Sequence, residues 1–243
     1  MGVVIAFYGA DHKCGTSMLV QCFAEYTAQK YKDCNVMLIH TENGECEEYS
    51  PNVKESLESI RPYLAEKLID TSSVMEKSRY KDNLFIIGGA SRPGSSNLYH
   101  PDMAQYLVAV LSENFDFVIC DSGSEIEHAM TLGSLYSADY VYVVTTQDEY
   151  CIRRFEWIKP LLEKVNIRLS GVIINKYEEY EVNNVEITAL RTGIDEKNVI
   201  CIRSSKLGRK ACQENKTLLA YKDPKFMKDF GKAAELILQR CGQ

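Results

Sequence analysis

Residues 3–17, Val-Val-Ile-Ala-Phe-Tyr-Gly-Ala-Asp-His-Lys-Cys-Gly-Thr-Ser, constrain this chain more than any other stretch. An apolar run stops at Gly9, a small polar turn closes on Gly15-Thr16-Ser17, and an amphipathic segment starts at once with Leu19, Val20, Phe23 and Tyr26 on one face. A strand that feeds a glycine-closed loop into a helix N-terminus is the geometry that cradles phosphates, because loop N–H groups and the positive helix end both point at the anion. The phosphate-loop pattern places Gly-Lys-Ser/Thr at its end. Here the triplet is Gly15-Thr16-Ser17, so Thr16 stands in the lysine position.

The rest of the chain alternates strands with helices. Strands are expected at residues 3–8, 36–40, 84–87, 117–120, 140–145, 171–175 and 199–202. Each is short, rich in Val and Ile and apolar on both faces, as in parallel strands covered above and below. Helices are expected at 17–30, 53–68, 101–114, 127–137, 151–165, 185–192 and 225–240. This order predicts an α/β fold, a doubly wound and mostly parallel sheet with helices on both faces, over residues 1–243 as one domain. Its 243 residues, 45% hydrophobic and 26% charged, suit such a domain, and no linker or repeat divides them.

In sheets of this kind ligands bind beyond the carboxyl ends of the strands. The residues there are the phosphate loop, His40-Thr41-Glu42, Asp121-Ser122-Gly123, Thr145-Thr146-Gln147-Asp148 and Asn175-Lys176. Asp121, after four apolar residues, occupies the place of an acid that orients Mg²⁺ through water. Asn175 has an amide suited to reading the edge of a base.

Composition narrows the function classes. No run is apolar enough for long enough to cross a bilayer, and Met1-Gly2 leads straight into a strand with no basic n-region or small-residue cleavage site of a signal peptide. Ala6 stands where N-myristoylation needs Ser or Thr. The nine cysteines are scattered and read as small buried hydrophobes of a cytoplasmic chain. No zinc spacing and no Ser-His-Asp order stands out. Of the 28 Lys/Arg and 34 Asp/Glu, residues 203–243 hold ten and four, so the remaining body carries 18 against 30. The basic tail is either an anion contact or a solvated helix face.

The motifs together resemble the MinD/ParA group of ATPases, whose deviant loop runs Lys-Gly-Gly-x-Gly-Lys-Thr. Thr16 and Ser17 fall on its final Lys-Thr, Gly15 on its last glycine and Asp11 on its signature lysine. Asp121-Ser122-Gly123 resembles the group's second switch, and Val143-Val144-Thr145-Thr146-Gln147-Asp148 its next strand end. Gly171-Val172-Ile173-Ile174-Asn175-Lys176 resembles the strand that delivers the base-contacting asparagine. The segment from Ile202-Arg203-Ser204-Ser205 to Ala220-Tyr221 resembles the purine-side loop and following helix. Within the group, Gly-Thr-Ser resembles the TadZ/CpaE branch, which localises pilus and tight-adherence secretion machinery. That branch usually carries a preceding receiver-like domain; this sequence begins on the ATPase strand, so that domain is expected to be absent or removed.

The resemblance implies ATP or ADP with Mg²⁺ as ligand, held by Gly9, Ala10, Asp11, His12, Lys13, Cys14, Gly15, Thr16, Ser17, Met18, Asn175, Lys176, Arg203 and Ser204. Ser17 and Asp121 are the implied metal positions, and Asp11, Glu42 and Asp121 the catalytic ones. Losing the loop lysine implies weak binding, and an aspartate in place of the cross-dimer lysine implies very slow or absent hydrolysis, with Lys13 a possible substitute charge. A homodimer sandwiching nucleotide, and a pilus, secretion or polar-localisation protein as partner, are implied without strong DNA binding. The alternatives are a nucleotide-free scaffold and a ParA-like DNA-partition ATPase. The loop around Gly88-Gly89 reads equally as a partner-binding element or a connection.

Overall fold

The computed structural model describes residues 1–41, 49–90 and 95–242. Its centre is β1 (Val3–Gly9), in which every residue after Val3 is buried. β1 lies between β6 (Phe117–Asp121) and β7 (Tyr140–Thr145), both parallel to it. Beyond β6 come β2 (Val36–His40), β5 (Leu84–Gly88) and the two-residue β3 (Glu55–Ser56). Beyond β7 come β8 (Gly171–Tyr177) and β9 (Val199–Arg203). The pairings along this order are parallel, and only β4 (Arg79–Lys81) runs antiparallel, on β5.

Alternation along β1 explains the layers, since successive side chains point to opposite faces. Ile5 and Phe7 join a core with α1 (Thr16–Lys30) and the last helix, α9 (Pro224–Arg240). Val4, Ala6 and Tyr8 join a second core with α2 (Leu57–Ala65), α4 (Pro101–Ser112), α5 (Ala129–Ser137) and α6 (Glu149–Lys164). Burying an Ile or Phe side chain stabilises by about 1.5–3 kcal/mol, so strands apolar on both faces are held from two sides. Remaining helices are α3 (Thr71–Ser78), α7 (Val185–Thr192) and α8 (Gly208–Gln213).

The doubly wound fold expected from the sequence is present. The stretch expected as one helix at 53–68 differs: Glu55 and Ser56 first extend β5's edge, and the Ser56 hydroxyl then caps α2 by accepting from Ser59 N. Parallel pairing brings the carboxyl ends of β1, β2, β6, β7, β8 and β9 to one edge of the sheet, where the expected ligand residues lie.

Candidate functional site

The loop after β1 is fastened at its base and curved at its tip. Gly9 N donates to Gly123 O at 2.6 Å and Ala10 N to Val144 O at 2.8 Å, so the ends of β6 and β7 fix where it departs. Lys13 and Gly15 have φ of 63° and 83°. Alternation with left-handed residues is the backbone pattern in which successive N–H groups converge on an anion. Gly15 is also the N-cap of α1 and has no side chain to cap it, so the helix end can serve a ligand. A Cβ at Gly15 would lie 2.6 Å from Asn175 Nδ2, so glycine is required twice, by φ and by space.

Asn175 and Lys176 brace this loop from the end of β8. Asn175 Nδ2 donates to Cys14 O at 2.7 Å, and Lys176 Nζ donates to Lys13 O at 2.7 Å. Thr16, in the lysine position, is buried, and its Oγ1 lies 2.7 Å from where a Cβ on Gly9 would be. Its hydroxyl therefore packs against the loop's base and supplies no positive charge.

Asp121 ends β6 and is buried with His40, whose Nδ1 is 3.0 Å from Asp121 Oδ2. The Thr41 hydroxyl donates to Asp121 O. Asp121 Oδ1 and His40 Nε2 are buried without a hydrogen-bond partner among the described residues. An orphaned buried carboxylate oxygen is costly unless water or an ion satisfies it, which fits an acid that orients a metal through water. Glu42 lies outside the described residues.

Asp11 is held by a cation from α6. Arg154 Nη1 donates to Asp11 Oδ1 at 2.6 Å, and its Nη2 donates to Glu125 Oε1 at 2.6 Å and Ser124 O at 3.2 Å. His12 adds a contact from Nε2 to Glu125 Oε1 at 2.7 Å, with its Nδ1 2.9 Å from Ser124 Oγ. Burial opposes the Arg154 charge, but the hydrogen bonds and charges of Glu125 and Asp11 outweigh it and raise its pKa. The Asp11 carboxylate is thus paired within the chain, with one guanidinium shared between it and Glu125. Sequence reasoning missed Arg154 because the pair spans 143 residues.

A cavity of about 690 Å³ opens above the loop. Asp11, His12, Lys13, Gly15, Thr16, Ser17, Met18, Asn175, Lys176, Arg203 and Ser204 line it, so the structure brings these expected residues together. Gly9, Ala10 and Cys14 are not on its wall; Ala10 and Cys14 are buried beneath it. Arg203 reaches the wall already engaged, with Nε 2.5 Å and Nη2 2.8 Å from the two oxygens of Asp229. Phe226 and Tyr49 also line the cavity and were not anticipated, and Arg209, from the segment expected on the purine side, lines it too.

No family model matches this sequence, and no curated protein matches it either. Solved structures do. A ParA family ATPase from Chlorobium tepidum TLS aligns with a TM-score of 0.83 and 18% identity over 96% of this chain and 99% of that one. MinD from Pyrococcus horikoshii OT3, complexed with Mg-ADP, aligns at 0.79 and 16% over 100% and 98%. The MinC:MinD cell division complex of Aquifex aeolicus contains a chain that aligns at 0.70 and 17% over 98% and 96%. The likeness at these identities is one of fold: this chain has the MinD/ParA ATPase fold.

Proposed function

We propose that the cavity binds an adenine nucleotide, ATP or ADP, with Mg²⁺, and that the protein is a MinD/ParA-type dimerising switch whose output is recognition of another protein. The observation that carries this reading is the glycine-bounded loop, with left-handed Lys13 and Gly15, at the open N-terminus of α1, next in the sheet to the end of β6, where Asp121 keeps one buried oxygen without a partner among the described residues. The loop backbone would bind the phosphates. Ser17 would ligate the metal through its hydroxyl and Asp121 through water. Asn175 and Lys176 hold the loop's shape, while Arg203 and Ser204 face the base side. Bound Mg²⁺ neutralises phosphate charge.

Binding would be weak and hydrolysis very slow or absent. A charge-assisted contact is worth about 1.5–3 kcal/mol, and buried Thr16 offers none. Asp11 is paired with Arg154, so the position that carries the signature lysine in the group carries no free cation. The Gly15-Thr16-Ser17 ending supports placing the protein with the TadZ/CpaE branch, in localising or assembling a pilus or secretion machine. The MinC:MinD complex is a precedent for output by protein contact. Strong DNA binding is disfavoured: Arg203 is paired with Asp229, and Lys210 and Lys216 with Glu214, within the basic tail.

Calorimetric titration with ATP·Mg²⁺ and ADP·Mg²⁺ tests this reading. A saturable, metal-dependent heat is expected. No heat at millimolar ligand would instead favour the scaffold, for which loss of the loop lysine and the Asp11–Arg154 pair already argue.

A further inference from the structure

Cys14 lies in the middle of the phosphate loop, and Cys151 in the first turn of α6. Their sulfurs are 3.7 Å apart, the Cys14 thiol donating to Cys151 Sγ. The residues are 1% and 6% exposed. Buried cysteines usually act as small hydrophobes, and contact alone does not distinguish a pair. Here Thr146 Oγ1, which is also 2.8 Å from Asp148 Oδ2, is 3.3 Å from Cys151 Sγ, Asp11 Oδ2 is 4.0 Å from the same sulfur, and that sulfur sits at a helix N-terminus, which favours a thiolate. The Cys14 hydrogen bond holds the Cys151 thiol low; burial opposes this, Thr146 assists, and Asp11 and Asp148 oppose. The Cys14 thiol moves up, first through its hydrogen bond to Cys151 and then through burial. Both shifts follow from the hydrogen bond that runs from Cys14 to Cys151. Cys22 and Cys120, by contrast, are pushed up to about 12, chiefly by burial.

We propose that Cys14 and Cys151 form an oxidisable dithiol whose disulfide tethers the phosphate loop to α6. The oxidant is a hydroperoxide. The Cys151 thiolate attacks one peroxide oxygen; the O–O bond breaks, Cys151 becomes a sulfenic acid, and the leaving oxygen takes up a proton. The Cys14 sulfur then attacks the Cys151 sulfur. The S–O bond breaks as the S–S bond forms, and the hydroxyl leaves as water with the Cys14 proton. Two thiols lose two electrons, hydrogen peroxide gains them, and two waters form.

Bonding shortens the sulfur separation to about 2.05 Å. Cys14 stands between the left-handed Lys13 and Gly15, and its carbonyl accepts from Asn175, so drawing it toward α6 reshapes the loop's middle. On the nucleotide-binding reading, on which this consequence rests, the oxidised chain holds phosphates less well. Losing a single charge-assisted contact between the loop and a phosphate corresponds to a tenfold or greater loss of affinity, which is expected here.

The test treats the full chain with hydrogen peroxide, alkylates remaining thiols and maps peptides by mass spectrometry. A peptide pair joined through Cys14 and Cys151, released by dithiothreitol and absent from Cys151→Ser, is the expected result. Both cysteines still alkylated, or Cys151 halted at sulfenic or sulfinic acid with no joined pair, would overturn the dithiol. ADP·Mg²⁺ is then titrated into reduced and oxidised protein. Equal affinity would overturn the effect on the loop. No binding even when reduced would sink the nucleotide-site reading alone, and the joined peptides would still decide the dithiol.

Discussion

Replacing Arg154 with alanine tests how the chain tolerates an aspartate in the loop after β1. The Arg154 side chain is 19% exposed, Asp11 13% and Glu125 30%, so the cluster is neither a surface pair nor fully dry. Exposed pairs are worth about 0–1 kcal/mol, whereas removing one partner of a buried pair costs about 3–5 kcal/mol by stranding the other charge. Arg154→Ala leaves two carboxylates facing each other, and a loss of roughly 2–3 kcal/mol follows from its intermediate burial. For a domain of this size each kcal/mol moves Tm by about 2–4 °C, so the midpoint should fall by roughly 5–10 °C. Asp11→Asn in the Arg154→Ala background removes one stranded charge and should recover part of that loss. A double-mutant cycle by urea unfolding should give a coupling of about 1–2 kcal/mol. A midpoint within about 1 °C of the parent, or zero coupling, would show that the pair does not hold the loop.

Four further outcomes are expected. Ser17→Ala and Asp121→Ala should each reduce the Mg²⁺ dependence of nucleotide binding, leaving metal-free affinity nearly unchanged in calorimetry with and without chelator. Gly15→Ala must adopt φ near 83° with its Cβ against Asn175 Nδ2, so it should lose about 1–2 kcal/mol from the left-handed conformation alone and most nucleotide affinity. Burial works to raise the Asp229 pKa, but its bonds and charge interaction with Arg203 outweigh that and hold it low. Such a carboxylate stabilises the fold above its unfolded pKa and loses that contribution as pH falls through its folded one. Asp229→Asn should therefore flatten the loss of stability below about pH 4 in acid titrations. Gel shifts with and without ATP should show no duplex binding tighter than the ~10⁻⁴–10⁻⁶ M non-specific range; a tighter, salt-sensitive complex would favour the partition-ATPase alternative.

Much of the architecture was legible because its strands are apolar on both faces. Val36–His40, Tyr140–Thr145 and Val185–Thr192 end where the periodicity places them. Asn184 and Gly193 punctuate α7, the one accepting from Ile187 N and the other turning left-handed at φ 65°. β3 and β4 escaped because two or three residues carry no periodicity, and Arg79-Tyr80-Lys81 is largely polar. In the site, the loop, Asp121 and Asn175 were visible as residues that follow strands. Their partners were not. Nothing local to Asp11 announces Arg154, and nothing near Cys14 announces Cys151; parallel crossovers bring each pair together over more than a hundred residues. The bond from Asn175 to Cys14 O gives that side chain a structural duty besides the base contact expected of it.

On the proposed function, the loop from Gly9 to Ser17 is a working phosphate cradle. A crystal structure of the protein soaked with ADP·Mg²⁺ tests it most directly. Phosphate density is expected against the backbone of residues 11–17, with a metal ion beside Ser17 and its water on Asp121. A fully occupied nucleotide elsewhere, or a loop left without phosphate density at saturating millimolar ligand, would contradict it.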